Sequence, residues 1–127
     1  MYEATVEKTF CASHALKMPG GGNEPMHGHN WKVEVTIAAR GLDAMDTVMD
    51  FHELELLLDQ VTGPWNNRCL NEVEPFFSNG QLEVNPSAER VSEKIAHFFE
   101  RKLPEDVWVF SVTVHEAPGC KATFRPQ

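Results

Sequence analysis

Two runs of period-two alternation, split by a glycine-rich break, constrain this chain more than any other feature. In the first run Tyr2, Ala4, Val6, Lys8, Phe10 and Ala12 share one parity, against Glu3, Thr5, Glu7 and Thr9 on the other. In the second, His27, His29, Trp31, Val33, Val35, Ile37 and Ala39 alternate with Asn30, Lys32, Glu34, Thr36 and Arg40. Successive side chains of a strand point to opposite faces, so each run reads as a strand with one face turned to a core. Between them, segment 17–26 carries Pro19, Gly20, Gly21 and Gly22 and reads as loop. The two strands are expected to pair antiparallel as a wide hairpin.

The period then lengthens. Phe51, Leu54, Leu57, Leu58 and Val61 recur at helical spacing, and Asp50 followed by Glu53 resembles a capping box. A helix is expected over 51–61, ending before Gly63-Pro64. A second helix is expected to open at Asn85-Pro86, a capping residue followed by proline, with Ala88, Val91, Ile95, Phe98 and Phe99 as its apolar stripe. The segment between the helices holds Trp65, Pro75 and Gly80, and a loop of that length is usually functional. Strands over 107–115 and 121–124, joined by a Pro118-Gly119 turn, close the chain. The order ββααββ places it in the α+β class: a four-stranded antiparallel sheet with two helices on one face. A length of 127 residues fits one domain spanning 1–127.

Composition narrows the function classes. With 19 acidic and 11 basic side chains the formal charge is −8, the wrong sign for a phosphate backbone, so no nucleic-acid partner is expected. No apolar run approaches the ~18–20 residues that span a bilayer, so no membrane partner is expected. Residues 1–15 alternate rather than forming a greasy run, which gives no export signal. Three cysteines (Cys11, Cys69, Cys120) form no paired framework and fit a reducing cytoplasm.

His27-Gly28-His29 is the sharpest local feature. Residues i and i+2 of a strand share a face roughly 7 Å apart, so the two imidazoles can converge on one ion, and Gly28 leaves room for close backbone approach. His14, at the far end of the intervening loop, joins them if the hairpin pairs. Three histidines with an open fourth position suit a catalytic zinc ion. Histidines at this spacing also serve as ordinary hydrogen-bonding groups, and spacing alone leaves both readings open.

Six segments, in consistent order, carry a resemblance. They are Phe10-Cys11-Ala12-Ser13-His14, His27-Gly28-His29-Asn30-Trp31, Val48-Met49-Asp50-Phe51, Cys69-Leu70-Asn71, Asn85-Pro86-Ser87-Ala88-Glu89 and Val114-His115-Glu116. Together they resemble the 6-pyruvoyltetrahydropterin synthase and 6-carboxytetrahydropterin synthase family over nearly the whole chain. The resemblance implies a tunnelling fold whose subunits join their sheets, usually as a homohexamer with sites at subunit interfaces. It implies zinc held by His14, His27 and His29, and 7,8-dihydroneopterin triphosphate as substrate. It also implies a pterin anchored by Glu116 and framed by Ser87 and Ala88.

The sequence departs from the family pattern at two places. Family members that make the pyruvoyl or carboxy product place a basic cysteine four residues before the His-Gly-His, where this chain has Asn23. Glu24 follows, and Glu24-Pro25-Met26-His27-Gly28-His29 resembles the Glu-x-x-His-Gly-His variant. In that variant glutamate takes over as base and the product is 6-hydroxymethyl-7,8-dihydropterin. The family's Asp-His pair before Leu-Asn reads Asn66-Asn67 here, and an amide has no proton to exchange near neutral pH. Substitutes are sought in His52, His97, His115 or Cys69, although His97 also sits four residues after Glu93, where an ion pair is expected. The expected function is a zinc-dependent pterin lyase or synthase with Glu24 as base. The alternative is a pterin-binding homologue that keeps the metal and has lost turnover.

Overall fold

The computed structural model describes residues 1–126. The alternating runs form β1 (Tyr2–His14) and β2 (His27–Ala39), antiparallel in unbroken register from Tyr2 opposite Ala39 to His14 opposite His27. Val6, Phe10 and Ala12 of β1 and Trp31, Val33, Val35 and Ile37 of β2 are buried on one face. A one-residue slip would turn that whole set to water, so the apolar pattern itself fixes the register.

The remaining elements are α1 (Phe51–Thr62), β3 (Arg68–Cys69), β4 (Phe77–Ser78), β5 (Gln81–Leu82), α2 (Ala88–Glu100), β6 (Val107–Ala117) and β7 (Cys120–Phe124). The main sheet runs β3-β1-β2-β6-β7, five strands rather than the expected four. The added strand is parallel to β1, with Ala12 opposite Arg68 and Ser13 opposite Cys69, and two residues are too few to leave a period in the sequence. β4 and β5 form a separate hairpin through Asn79 (φ 54°) and Gly80 (φ 79°), a two-residue turn that needs positive φ at both places. The inter-helix segment is therefore folded rather than a bare loop.

Leu54, Leu58 and Val61 of α1 and Val91, Ile95, Ala96 and Phe99 of α2 join the inner face of the sheet in one apolar cluster. Each large side chain buried there contributes about 1.5–3 kcal/mol. Asp50 caps α1 by accepting from the His52 N–H at 2.9 Å. The cap of α2 is not Asn85 but Ser87, whose hydroxyl oxygen accepts from the Arg90 N–H at 3.2 Å, because the Asn85 amide is engaged elsewhere. β6 runs two residues past its expected end and carries a bulge: His115 faces Lys121 and Ala117 faces Cys120, so Glu116 has no opposite residue. No helix among the described residues is long and apolar enough to cross a membrane.

Candidate metal centre

His14 ends β1 directly across from His27, which starts β2, and His29 lies two pairs further in, across from Ala12. All three therefore project on the core face at the open end of the hairpin, and their ligating atoms lie within 4.8 Å of one another. His14 is buried and the other two are half-buried. Trp31 forms the floor, edge-on to His14 at 4.8 Å and to His29 at 5.5 Å. Its own position is fixed by an indole N–H donated to the Ala12 carbonyl at 3.1 Å and by a stack on Phe10.

Backbone carbonyls set the tautomers. His14 Nδ1–H donates to the Pro86 carbonyl at 2.7 Å, and His27 Nδ1–H to the Pro25 carbonyl at 2.8 Å. A carbonyl only accepts, so each Nδ1 carries the proton and each neutral ring presents a bare Nε2 lone pair. Those two Nε2 atoms stand 3.1 Å apart, and His29 Nε2 is buried with no partner among the described residues. Lone pairs aimed together repel unless a proton or a cation lies between them. Burial is the largest influence on His29 and holds its pKa below the ordinary imidazole value; Glu116 pulls the other way, and His14 and His27 reinforce burial. A proton on His29 is thus disfavoured, and the three converging imidazole nitrogens could hold a cation. Three imidazoles, two of them oriented by carbonyls through their other nitrogen, form a zinc-type donor set.

The chain leaving His14 is clamped residue by residue. Asn71 takes the Ala15 N–H on Oδ1 (2.9 Å) and donates Nδ2–H to the Ala15 carbonyl (2.7 Å). Asn85 does the same for Lys17, at 2.7 and 3.1 Å. On the other side Glu24 accepts the Leu16 N–H on Oε1 at 3.0 Å and donates its own N–H to the Leu16 carbonyl at 3.0 Å. Two amides and a carboxylate thus continue the β1 ladder beyond its last paired residue. Sequence reasoning missed Asn71 and Asn85 as supports, since neither follows a period.

The expected site residues are distributed as follows. Glu24 is close enough to act electrostatically on His29, with one oxygen committed to Leu16. Glu116 turns its carboxylate into the triad, Oε1 lying 3.4 Å from His14 Nε2 and Oε2 lying 3.8 Å from His29 Nε2. Ser87 and Ala88 begin α2 directly after the carbonyl that orients His14. The Asn66 side-chain oxygen accepts the Cys11 N–H at 3.0 Å, and the Asn67 backbone N–H donates to the Cys11 carbonyl at 2.6 Å.

None of the three spare histidines joins the triad. His52 faces Glu55, and His115 contacts Glu34 at 2.5 Å on the opposite face of the sheet. His97 lies against the Phe124 ring while Glu93 pairs with Arg90 at 2.7 Å, so the expected His97–Glu93 ion pair gives way to a stronger guanidinium partner. The Cys69 thiol contacts Met26 sulfur at 3.7 Å and the Asn71 amide oxygen at 3.9 Å. Gly28 faces outward, and a Cβ there would meet only the Ala12 carbonyl at 3.9 Å; the expected need for close backbone approach is not present.

Comparison with known proteins agrees with this geometry. The 6-pyruvoyl tetrahydropterin synthase family matches residues 3–127. The 6-carboxy-5,6,7,8-tetrahydropterin synthase of Bacillus subtilis is 26% identical over 133 residues, covering 99% of this chain and 86% of that protein. The enzyme of the same name from Helicobacter pylori is 28% identical over 129 residues, covering 84% of this chain and 64% of that one. The crystal structure of Plasmodium vivax 6-pyruvoyl tetrahydropterin synthase superposes with a TM-score of 0.78 at 20% identity, covering 99% of this chain and 98% of the other. A further structure of that Plasmodium protein carries alanine in place of a glutamate described as a catalytic residue. The α+β architecture is thus the expected tunnelling fold. Over nearly its full length, this chain belongs to the 6-pyruvoyl tetrahydropterin synthase family.

Proposed function

We propose that the chain, acting as one domain over 1–127, is a zinc-dependent pterin lyase or synthase. Its substrate is 7,8-dihydroneopterin triphosphate or a close relative, and its product a 6-carboxytetrahydropterin or 6-hydroxymethyldihydropterin. The observation that carries the reading is the convergence of three imidazoles, two with their protons committed to carbonyls, inside a chain of this family. When bound, zinc supplies Lewis-acid polarisation of the substrate side-chain oxygens.

Glu24 is the proposed base. Leu16 holds one of its oxygens, which leaves the second to take a proton from the substrate side chain. That a glutamate is named as a catalytic residue in the Plasmodium vivax protein supports this choice over a cysteine. Glu116 offers two adjacent acceptors, which match the amino group and ring N–H of a pterin edge. Ser87 and Ala88, at the start of α2, frame that ring. The working unit is proposed to be a cytoplasmic homohexamer.

Incubating zinc-loaded protein with dihydroneopterin triphosphate and identifying products by mass tests this reading; an unchanged substrate overturns it. A second reading is favoured by one observation. Asn66 and Asn67 stand at the positions of the family's proton-relaying pair, the Asn66 amide oxygen is held by the Cys11 N–H, and neither amide can exchange a proton near neutral pH. A chain that binds the pterin without converting it would be a pterin-binding homologue, and the same incubation, followed by a binding measurement, separates the two.

A further inference from the structure

We propose that in the substrate-free protein Glu116 is a fourth protein ligand of the ion held by His14, His27 and His29, closing a site that pterin must reopen. The proposal rests on the zinc and pterin reading above and deepens it.

Donors bound at about 2.0–2.2 Å in a tetrahedron stand about 3.3–3.6 Å from one another. The His14–His27 nitrogen pair, at 3.1 Å, and the Glu116 Oε1–His14 Nε2 pair, at 3.4 Å, both lie near that edge length. The second carboxylate oxygen approaches His29 Nε2 at 3.8 Å, so Glu116 reaches two of the three rings together. Neither contact has the geometry of a hydrogen bond. His14 spends its Nδ1–H on the Pro86 carbonyl, so its Nε2 is the atom turned to the carboxylate. Glu116 takes no hydrogen bond from any other group among the described residues.

The backbone gives an independent indication. Glu116 occupies the unpaired position of the β6 bulge, and the Pro118-Gly119 turn follows at once, with Gly119 at φ 82°. Bulges bend a strand and re-aim one side chain, and they concentrate next to functional sites. A plain antiparallel ladder would have placed a β7 residue opposite Glu116.

The consequence is competition. A carboxylate that completes the metal's ligand set cannot at the same time pair with the two donors of a pterin edge. Pterin binding should therefore draw Glu116 off the ion and open the position that the substrate side chain needs.

Cobalt(II) loaded in place of zinc provides the test. In wild type without pterin, added azide should leave the cobalt absorption spectrum unmoved, because no position is open. Glu116→Ala should take up azide with a spectral change and should lose zinc affinity by at least about tenfold, the loss typical even for groups behind the ligands. Glu24→Gln removes a nearby charge without touching ligand atoms and should leave the cobalt spectrum as in wild type. X-ray absorption of zinc-loaded wild type needs no variant and should give three imidazole nitrogens and one carboxylate oxygen. A wild-type spectrum that already responds to azide, or a water in place of the carboxylate, overturns the Glu116 assignment and leaves the histidine triad standing. Wild type that takes up neither cobalt nor zinc overturns the triad and this proposal together.

Discussion

His14 has the least freedom of the three histidines: it is 1% exposed, its Nδ1–H is fixed on Pro86, and the Trp31 edge lies against its ring. His27 and His29 are more open, yet each is one of only three imidazoles, so His27→Ala or His29→Ala should take zinc from about one per chain to none. Elemental analysis of the purified variants checks this, and unchanged metal in both would remove the site. Gly28→Ala should behave oppositely, keeping metal and fold, because a Cβ there meets only ordinary contact. The two glutamates separate binding from chemistry. Glu116→Gln should weaken pterin binding about ten- to a hundredfold, since an amide N–H then faces a pterin donor. Glu24→Gln keeps the shape and loses the proton acceptor, so binding should persist while turnover collapses; calorimetry beside a product assay distinguishes them. The histidines were legible because period-two spacing and hairpin pairing place them together without further information. Their tautomers were not legible, because Pro86 and Pro25 act through carbonyls, which no side-chain pattern encodes.

The continuation of β1 beyond His14 depends on side chains imitating a neighbouring strand. Asn71 makes two hydrogen bonds to Ala15, and Ala15 is buried, so Asn71→Ala leaves a backbone N–H and C=O without partners at a place water does not reach. Each such group costs about 1–3 kcal/mol, and the position is one residue from His14. Asn71→Ala should therefore lower the denaturant midpoint and zinc affinity together. Asp50→Ala, which removes the cap of α1 far from the triad, should cost about 1 kcal/mol and leave zinc affinity alone. If both variants lose stability and neither loses metal affinity, the clamp does not position His14. The same amides explain where element boundaries were misread. Asn85 next to Pro86 has the composition of a helix start, but its amide closes on Lys17, and the cap passes to Ser87. Local propensity names the residues able to cap; only the tertiary partner decides which of them does. β3 was invisible for a related reason, being defined by two pairings with β1 and not by any pattern of its own.

At the scale of the whole molecule the surface is larger than one compact chain needs. A monomer of 14.3 kDa is expected to expose about 6,800 Å², and this one exposes 7573 Å². Part of the excess is apolar: Tyr2, Met45, Phe51, Leu56 and Trp108 are all exposed. Leu42, Met45, Phe51 and Trp108 line a concavity of about 930 Å³ at the end of the sheet opposite the histidines. The sheet also ends in open edges. β3 shields β1 only at Ala12 and Ser13, so the outer edge over residues 2–10 pairs with no strand among the described residues, and β7 has no neighbour beyond it. Unpaired edges and exposed apolar surface invite association, and subunits joined edge to edge remove both liabilities at once. Light scattering on the zinc-loaded protein should therefore give a mass several times 14.3 kDa, with six chains expected. The assembly should persist at high salt, since apolar contact and strand pairing hold it rather than surface charge. A monomer at micromolar concentration would mean that these edges are tolerated alone, and the proposed homohexamer would fail with it.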